Sequence, residues 1–209
     1  MTRILLVDDH VVVRDGLKRL LDELPTKATF GEASSAIEAL QLLKLQPWDV
    51  VVLDISLEDG NGLETLKDIK KIRPSLPVLM LTMHSEGQYA RRAFRAGASG
   101  YITKGSSRTV IMEAIKKVLS GKKYVSTTLA EELVTDLERG VNDAPHSILS
   151  DREFEVMRLI GLGKTVGEIA GQLLSDRTVS TYRARILEKM KIRTNAEIAR
   201  YAIENKLVG

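Results

Sequence analysis

The sequence predicts two consecutive domains, an α/β domain with a doubly wound parallel sheet and a small all-α domain. Two observations support this division. Up to Gly121, short apolar runs such as Val50-Val-Val-Leu53 alternate with amphipathic helical patterns, which is typical of a parallel sheet covered on both faces. After residue 147 helix-start signals recur and no strand pattern is found. The length of 209 residues and the 44% apolar content fit one or two packed domains.

The first domain is predicted to contain five strands, each followed by a helix. Buried strands are recognised by continuous apolar runs, and the helices by apolar residues at helical spacing. The predicted strands are residues 3–7, 26–33, 49–54, 77–82 and 100–103. The predicted helices are residues 11–24, 35–46, 63–73, 86–96 and 107–120.

The second domain is predicted to contain four short helices. Three of them begin with a hydroxyl residue three positions before a glutamate, at Ser150, Thr165 and Thr194, which is the spacing of a capping box. The predicted helices are residues 151–162, 166–173, 176–190 and 195–205. Because almost nothing separates the second helix from the third, this pair is predicted to form a helix-turn-helix.

Between the domains, residues 127–139 predict a short amphipathic helix with Leu129, Leu133, Val134 and Leu137 on one side. Residues 140–146 are rich in turn-forming residues and predict a flexible break. The predicted domains are therefore 1–121 and 147–209, with a linker at 122–146. The linker helix either simply packs or couples the two domains.

Composition excludes several classes of protein. The chain has no apolar run long enough to cross a bilayer. Its first strand reaches Asp8-Asp9 too early for a secretory signal peptide. Without cysteine it can form neither a disulfide nor a zinc–thiolate site. We therefore expect a cytoplasmic protein without membrane contact. Residues 150–209 hold 11 Lys and Arg against 8 Asp and Glu, whereas residues 1–149 hold 20 of each, so a polyanionic partner is expected at the C-terminal domain.

Polar residues end or directly follow four of the predicted strands, and parallel adjacent strands would bring them to one edge of the sheet. Three carboxylates in such a cluster repel unless a cation lies among them, and Mg²⁺ accepts carboxylates while keeping water for a phosphoryl ligand. A lysine and a hydroxyl suit the phosphoryl oxygens, and a carboxylate beside the metal can act as the nucleophile toward phosphorus. The residues are Asp8, Asp9, Asp54, Thr82 and Lys104.

Other phosphate sites fit less well. Val7-Asp-Asp-His-Val11 stands where a nucleotide-binding fold would have its glycine-rich turn. An enzymatic alternative is a phosphohydrolase of the haloacid-dehalogenase type that turns over through an aspartyl-phosphate. Such enzymes place Asp-x-Asp after a strand, whereas this chain has adjacent Asp8-Asp9 and Asp54-Ile-Ser56.

The third helix of the second domain is predicted to have a core face and an exposed face. Val179, Tyr182, Ile186 and Met190 fall on one side of a helical wheel. Arginines, hydroxyl residues and small residues spread over the other, and such a face can enter a major groove. The exposed set is Arg177, Ser180, Thr181, Ala184, Arg185 and Glu188, with Lys189, Lys191 and Arg193 as a basic flank suited to phosphates.

Residues 1–121 resemble the receiver domain of two-component response regulators, which has a flavodoxin-like (βα)5 fold. The resemblance rests on Asp8-Asp9, on Asp54 with Asp59-Gly60 beyond it, on Thr82, and on Gly100-Tyr-Ile-Thr-Lys104. It implies that Asp54 accepts a phosphoryl group from a sensor histidine kinase. It also implies that Asp8, Asp9, Asp54 and the Ser56 carbonyl hold Mg²⁺, that Thr82 and Lys104 bind the phosphoryl oxygens, and that Tyr101 is a switch residue that turns inward. Ser56 and His84 occupy positions that tune dephosphorylation in such proteins.

Residues 147–209 resemble the LuxR-type helix-turn-helix. The matching segments are Leu149-Ser-Asp-Arg-Glu-Phe-Glu-Val156, Glu168-Ile-Ala170, Ser175-Asp-Arg-Thr-Val179 and Ile186-Leu-Glu-Lys-Met190. Together the domains are similar to NarL/FixJ-type response regulators, which are transcription regulators rather than enzymes. The resemblance implies that Ser180, Thr181 and Ala184 lie against bases of double-stranded DNA, with Arg177, Arg185 and Lys189 near phosphates or base edges. It also implies a homodimer on activation.

Two positions depart from the family pattern. Gly105 follows Lys104 where many receivers have a proline in a cis peptide, and a cis bond before a non-proline residue costs roughly 3 kcal/mol. The loop is therefore expected to be either trans or strained. The segment from Ile169 to Ser175 is one residue shorter than the usual helix-turn-helix pattern, which leaves open a third reading, in which the second domain binds a protein partner instead of DNA.

Overall fold

The structure is a computed structural model that describes residues 1–58, 60–83, 87–139, 144–173, 175–205 and 207–208. It divides into two compact units, Met1–Leu133 and Val134–Gly209. Asp59 and His84, and the side chains of Leu133 and Leu137, lie outside the described part of the chain.

The first unit is built on a parallel sheet of five strands, as predicted. The strands are β1 (Thr2–Val7), β2 (Ala28–Ala33), β3 (Val50–Leu53), β6 (Val78–Thr82) and β7 (Gly100–Thr103). Their order across the sheet is β2-β1-β3-β6-β7. A two-residue antiparallel pair, β4 (Ser56–Leu57) with β5 (Gly60–Asn61), follows β3 and was not predicted. The edge strand β2 begins two residues later than predicted, because Thr26 and Lys27 precede its pairing with Thr2.

Helices cover both faces of this sheet. They are α1 (Val11–Leu21), α2 (Ala36–Leu45), α3 (Gly62–Ile72), α4 (Gly87–Arg95) and α5 (Arg108–Leu119). Side chains of α1 and α5 share one apolar core with alternate strand residues such as Ile4 and Leu6, while α2 contacts α3 and α3 contacts α4. Since successive strand residues point to opposite faces, both sides of the sheet are buried.

The chain continues to pack on the first unit beyond α5. Tyr124 forms an isolated parallel bridge with Gly100, and its backbone N–H donates to Ser99 O at 2.8 Å. The next helix, α6 (Thr127–Arg139), is the predicted amphipathic helix. Leu129 on α6 is fully buried, whereas Val134 is 55% exposed. The beginning of the predicted linker therefore belongs to the first compact unit.

All the regular secondary structure among the described residues of the second unit is helical. A 3-10 turn at Pro145–Ile148 is followed by α7 (Asp151–Gly161), α8 (Val166–Leu173), α9 (Asp176–Met190) and α10 (Asn195–Glu204). Complete capping boxes begin α7 at Ser150 and α10 at Thr194. The reciprocal bonds are also present between Thr165 and Glu168 at the start of α8. The capping boxes therefore form at the three helix starts where the sequence predicted them.

Candidate functional site

The register of the sheet brings Asp8 and Asp54 together. Val7, the last residue of β1, pairs with Leu53, the last residue of β3, so the two aspartates follow neighbouring strands at the same level. The strand order changes direction at β1, and ligands of open α/β sheets bind at such a switch point, beyond the carboxyl ends of the strands. The predicted convergence of polar residues is therefore built into the topology.

Asp54 is buried at this edge. Its side chain is 2% exposed, and the Oδ2 atom accepts a hydrogen bond of 2.7 Å from Lys104 Nζ. Oδ1 is also buried, and no hydrogen-bond partner for it occurs among the described residues. Burial raises the pKa of Asp54, as does the neighbouring charge of Asp8, while Lys104 and the Ser56 backbone N–H act in the opposite direction. The net effect is a raised pKa, so a further cation or donor at this carboxylate would favour its ionised form.

Lys104 lies between two carboxylates. Its Nζ atom is 2.7 Å from Oδ2 of Asp8 and 2.7 Å from Oδ2 of Asp54. Burial alone would lower the pKa of Lys104, but the hydrogen bonds and charges of Asp54 and Asp8 outweigh it and raise the pKa. The ammonium group therefore stays charged and bridges the two strand ends. The Lys104–Gly105 peptide bond is trans, so the lysine reaches the site without the cis bond common in the resembled family.

The acidic cluster has the donor set of a divalent metal site. One ligand atom each from Asp8, Asp9, Asp54 and His10 lies within 4.8 Å of the others. Three carboxylates against one ammonium leave an excess of negative charge, and the buried Oδ1 of Asp54 is available as a ligand. Hard oxygen donors of this kind suit Mg²⁺. The residues present therefore fit the predicted metal.

Thr82 and Tyr101 line neighbouring positions of the sheet. Thr82 ends β6, pairs with Thr103 and is fully buried, and its backbone oxygen accepts a bond of 2.7 Å from Lys104 N. Tyr101, near the start of β7, is also fully buried.

In the second unit, α9 presents the predicted exposed face. Val179, Ile186 and Met190 are buried and Tyr182 is half-buried, so the predicted core side is essentially correct. The opposite side is exposed at all six predicted DNA-contact positions, Arg177, Ser180, Thr181, Ala184, Arg185 and Lys189. The Thr181 hydroxyl donates to the Arg177 carbonyl at 2.9 Å, which leaves its lone pairs for an outside donor. The helix-turn-helix turn is short, with α8 ending at Leu173 and α9 beginning at Asp176.

Lys189 differs from the other predicted contacts because it forms an ion pair within the domain. Its Nζ atom is 2.7 Å from Oε2 of Glu153, a buried residue of the α7 capping box. Burial on its own would raise the pKa of Glu153, but the hydrogen bonds from Lys189 and Ser150 lower it below its ordinary value. Glu153 thereby ties the exposed helix α9 to the start of α7, and Lys189 has a structural role besides the predicted one.

Two family models match the chain. Residues 4–116 match the response regulator receiver domain, and residues 147–202 match the bacterial regulatory proteins of the luxR family. The chain is a LuxR-type response regulator. The response regulator UvrY of Escherichia coli K12 is 34% identical over 99% of this chain and 96% of its own length. GacA of Pseudomonas viridiflava is 34% identical over 100% of this chain and 98% of its own.

A solved structure extends the similarity to the fold. The RcsB response regulator of Salmonella typhimurium, described for its conformational dynamism in DNA interaction, superposes with a TM-score of 0.60. It is 25% identical and covers 96% of this chain and 97% of its own. The predicted family, fold class and general function are confirmed, since the chain combines a receiver with a LuxR-type DNA-binding domain and its relatives are transcription regulators. No helix among the described residues of this response regulator could span a bilayer.

Sequence reasoning missed three residues that shape the site of this response regulator. His10 Nδ1 is 2.5 Å from Oδ1 of Asp9, Arg14 donates to the backbone oxygen of Asp8, and Gly62 N donates to Ile55 O at 2.7 Å. His10 directly follows the acid pair and could have been found for that reason. Arg14 lies five and six residues beyond the two acids, and its contact depends on the turn between β1 and α1. No local signal marks Gly62, since its contact depends on the path of the loop after β3.

Proposed function

We propose that this protein is a phosphorylation-controlled transcription regulator in which Asp54 accepts a phosphoryl group from a sensor histidine kinase. The observation that carries the proposal is the buried Asp54 carboxylate, which Lys104 bridges to Asp8 and whose Oδ1 atom has no hydrogen-bond partner in the described part of the chain. The proposed functional boundaries are a receiver at 1–121, a linker at 122–146 and the DNA-binding domain at 147–209. Access to DNA requires that the protein act in the cytoplasm.

The proposed reaction is a transfer between an oxygen of Asp54 and a phosphoryl donor. An oxygen of the carboxylate attacks phosphorus, the bond from phosphorus to the donor breaks, and the donor leaves with the electron pair. Asp8, Asp9, Asp54 and the Ser56 carbonyl would hold Mg²⁺, which supplies positive charge for the phosphoryl oxygens. Lys104 would move from its bridge onto one of these oxygens, and the Thr82 hydroxyl would donate to another. No turnover of an external substrate is proposed.

The phosphorylated receiver would then favour a conformation that pairs two copies of the chain. Thr82 and Tyr101 lie on neighbouring strands, β6 and β7, and a movement of Thr82 toward the phosphoryl group would change the packing around Tyr101. A shift between two receiver states needs only a difference in free energy of binding between them. Paired DNA-binding domains could then occupy two half-sites.

Sedimentation velocity tests this switch. With Mg²⁺ and acetyl phosphate we expect wild type to shift toward a dimer, while Asp54→Asn stays at its starting size because it cannot be phosphorylated. Both proteins should sediment alike without acetyl phosphate. A shift of equal size in the two proteins would contradict the proposed role of Asp54.

We propose further that α9 lies in the major groove, with Ser180, Thr181 and Ala184 toward the bases and Arg177, Arg185 and Lys189 near phosphates or base edges. Arg185→Ala is expected to weaken binding to duplex DNA roughly tenfold, because one arginine contact to a base edge or phosphate is lost. The slope of affinity against salt should become shallower. Fluorescence anisotropy across a salt series measures both quantities.

Lys44→Ala is the matched control, because it removes one exposed positive charge from α2 of the receiver. It should leave both affinity and salt slope unchanged. If Arg185→Ala and Lys44→Ala bind equally well, the short turn before α9 has moved this face away from DNA. The alternative in which the second domain binds a protein partner instead of DNA would then be favoured.

A further inference from the structure

Arg14 is a buried arginine of α1 that points toward the acid pair. Its side chain is 10% exposed, which is unusual for arginine unless its charge is paired. One guanidinium nitrogen, Nη1, donates to the backbone oxygen of Asp8. The Nε atom donates to Oε2 of Glu32 on the edge strand β2, at 3.0 Å. The arginine therefore connects the turn after β1 to the neighbouring strand.

Glu32 is held in a charged state by two cations. Its other oxygen, Oε1, is 2.6 Å from Lys18 Nζ, and Lys18 is also 2.8 Å from Asp15. The hydrogen bonds from Lys18 and Arg14, in that order, lower the pKa of Glu32 below its ordinary value. Glu32 is therefore an anion at neutral pH, and it orients the planar guanidinium group through its bond from Nε.

Asp8 has four polar atoms engaged, and Arg14 accounts for one of them. Asp8 N donates to Ala33 O at 3.1 Å, Oδ1 accepts from His10 N at 2.9 Å, and Oδ2 contacts Lys104. The remaining atom is the carbonyl oxygen, which belongs to the peptide unit joining Asp8 to Asp9. Holding this oxygen fixes the orientation of that peptide unit, and with it the direction in which the Asp9 carboxylate leaves the backbone.

We infer that Arg14 is a positioning residue for the metal-binding acid pair, acting through the Asp8–Asp9 peptide with Glu32 as its anchor. The inference rests on the proposed function, because it assumes that Asp8 and Asp9 bind Mg²⁺ for phosphoryl transfer to Asp54. The hydrogen bonds of Arg14 among the described residues go to Glu32 and to the Asp8 backbone oxygen, not to a carboxylate oxygen of Asp8, Asp9 or Asp54. Its effect is therefore on ligand geometry. Groups that orient metal ligands change metal affinity about 10- to 100-fold when removed.

Arg14→Gln is the main test, with Mg²⁺ binding measured by isothermal titration calorimetry. We expect the dissociation constant for Mg²⁺ to rise about tenfold, while the rate of phosphorylation by acetyl phosphate at saturating Mg²⁺ stays within about twofold of wild type. A loss of folded protein alone would lower the number of binding sites without changing their affinity. Arg14→Lys should not restore affinity, because one ammonium nitrogen cannot occupy both the Nε and the Nη1 positions from which the guanidinium group donates.

Two further variants keep the test decisive. Arg19→Gln removes an exposed arginine from the same helix and should bind Mg²⁺ like wild type. Glu32→Gln removes the anchor charge without touching the acid pair, and should weaken Mg²⁺ binding by a smaller factor even if Arg14→Gln does not fold. Equal Mg²⁺ affinity in wild type, Arg14→Gln and Glu32→Gln would overturn the inference and leave the proposed function intact. If wild type itself neither binds Mg²⁺ nor gains a phosphoryl group, the proposed function fails, and the inference fails with it.

Discussion

Asp54→Asn is expected to abolish phosphorylation by acetyl phosphate while leaving the protein at least as stable as wild type. An amide lacks the anionic oxygen that attacks phosphorus, so the acyl phosphate cannot form. Intact-protein mass spectrometry after incubation with Mg²⁺ and acetyl phosphate should show one added phosphoryl group on wild type and none on the variant. Addition to the variant at the wild-type rate would mean that another residue is the acceptor.

The stability part of this prediction follows from the raised pKa of Asp54. Burial, aided by the charge of Asp8, raises this pKa in the folded state, so the folded protein binds a proton more tightly there than the unfolded chain does. Stability therefore falls as the pH rises from the ordinary aspartate pKa through the raised one, and at neutral pH the ionised carboxylate is destabilising. Asparagine removes that cost, and its amide oxygen can still accept from Lys104. Urea unfolding at neutral and acidic pH should show an advantage of the variant that shrinks as the pH falls.

Asp15→Asn provides the control for both parts. Asp15 is an exposed acid on α1, and its hydrogen bond and charge interaction with Lys18 lower its pKa. The variant should be phosphorylated like wild type. Its stability should be equal to or slightly below that of wild type, because exposed ion pairs contribute little. We therefore expect the Asp-to-Asn substitution to change the stability in opposite directions at positions 54 and 15.

The site was predictable from the sequence to the extent that it depends on strand ends. Asp8, Asp54, Thr82 and Lys104 each lie at or directly after the end of an apolar run, and parallel pairing of neighbouring strands then brings them to one edge. The exposed face of α9 was equally predictable, because its helical period and its flanking caps are local properties. Most of the prediction therefore depended on the position of a residue within its strand or helix.

Contacts between elements could not be predicted in the same way. Lys189 is a basic residue at a position where a phosphate contact was predicted. Its ammonium group is nevertheless paired with Glu153, 36 residues earlier in the chain. Arg14 is charged and lies on an amphipathic helix, and its burial is explained by two partners, Glu32 on β2 and the backbone oxygen of Asp8. Such pairings depend on the distance between two elements in space, which the spacing of residues within one element does not determine.

Gly62→Ala is expected to cause the largest loss of stability of any conservative substitution at the site. A Cβ atom on Gly62 would lie 1.9 Å from the backbone oxygen of Asp54 and 2.7 Å from Cα of Ile55. Both are backbone atoms, so no side chain can rotate away, and β3 or the start of α3 must move. The φ angle of Gly62 is not positive, so the requirement for glycine comes from this close approach and not from the backbone conformation. Forced overpacking of this kind costs about 3 kcal/mol.

The same displacement should impair phosphorylation, because the Asp54 carbonyl that must move belongs to the acceptor residue itself. A shift of roughly 1 Å in a reacting group can reduce a rate on the order of a hundredfold. Urea unfolding and the rate of phosphoryl incorporation at saturating Mg²⁺ measure the two effects in one preparation. Gly16→Ala is the matched control, since nothing lies within 4 Å of its Cβ position, and an alanine inside α1 should stabilise the protein by about 1 kcal/mol. If Gly62→Ala is as stable and as reactive as Gly16→Ala, the loop after β3 is free to move and does not hold Asp54 in place.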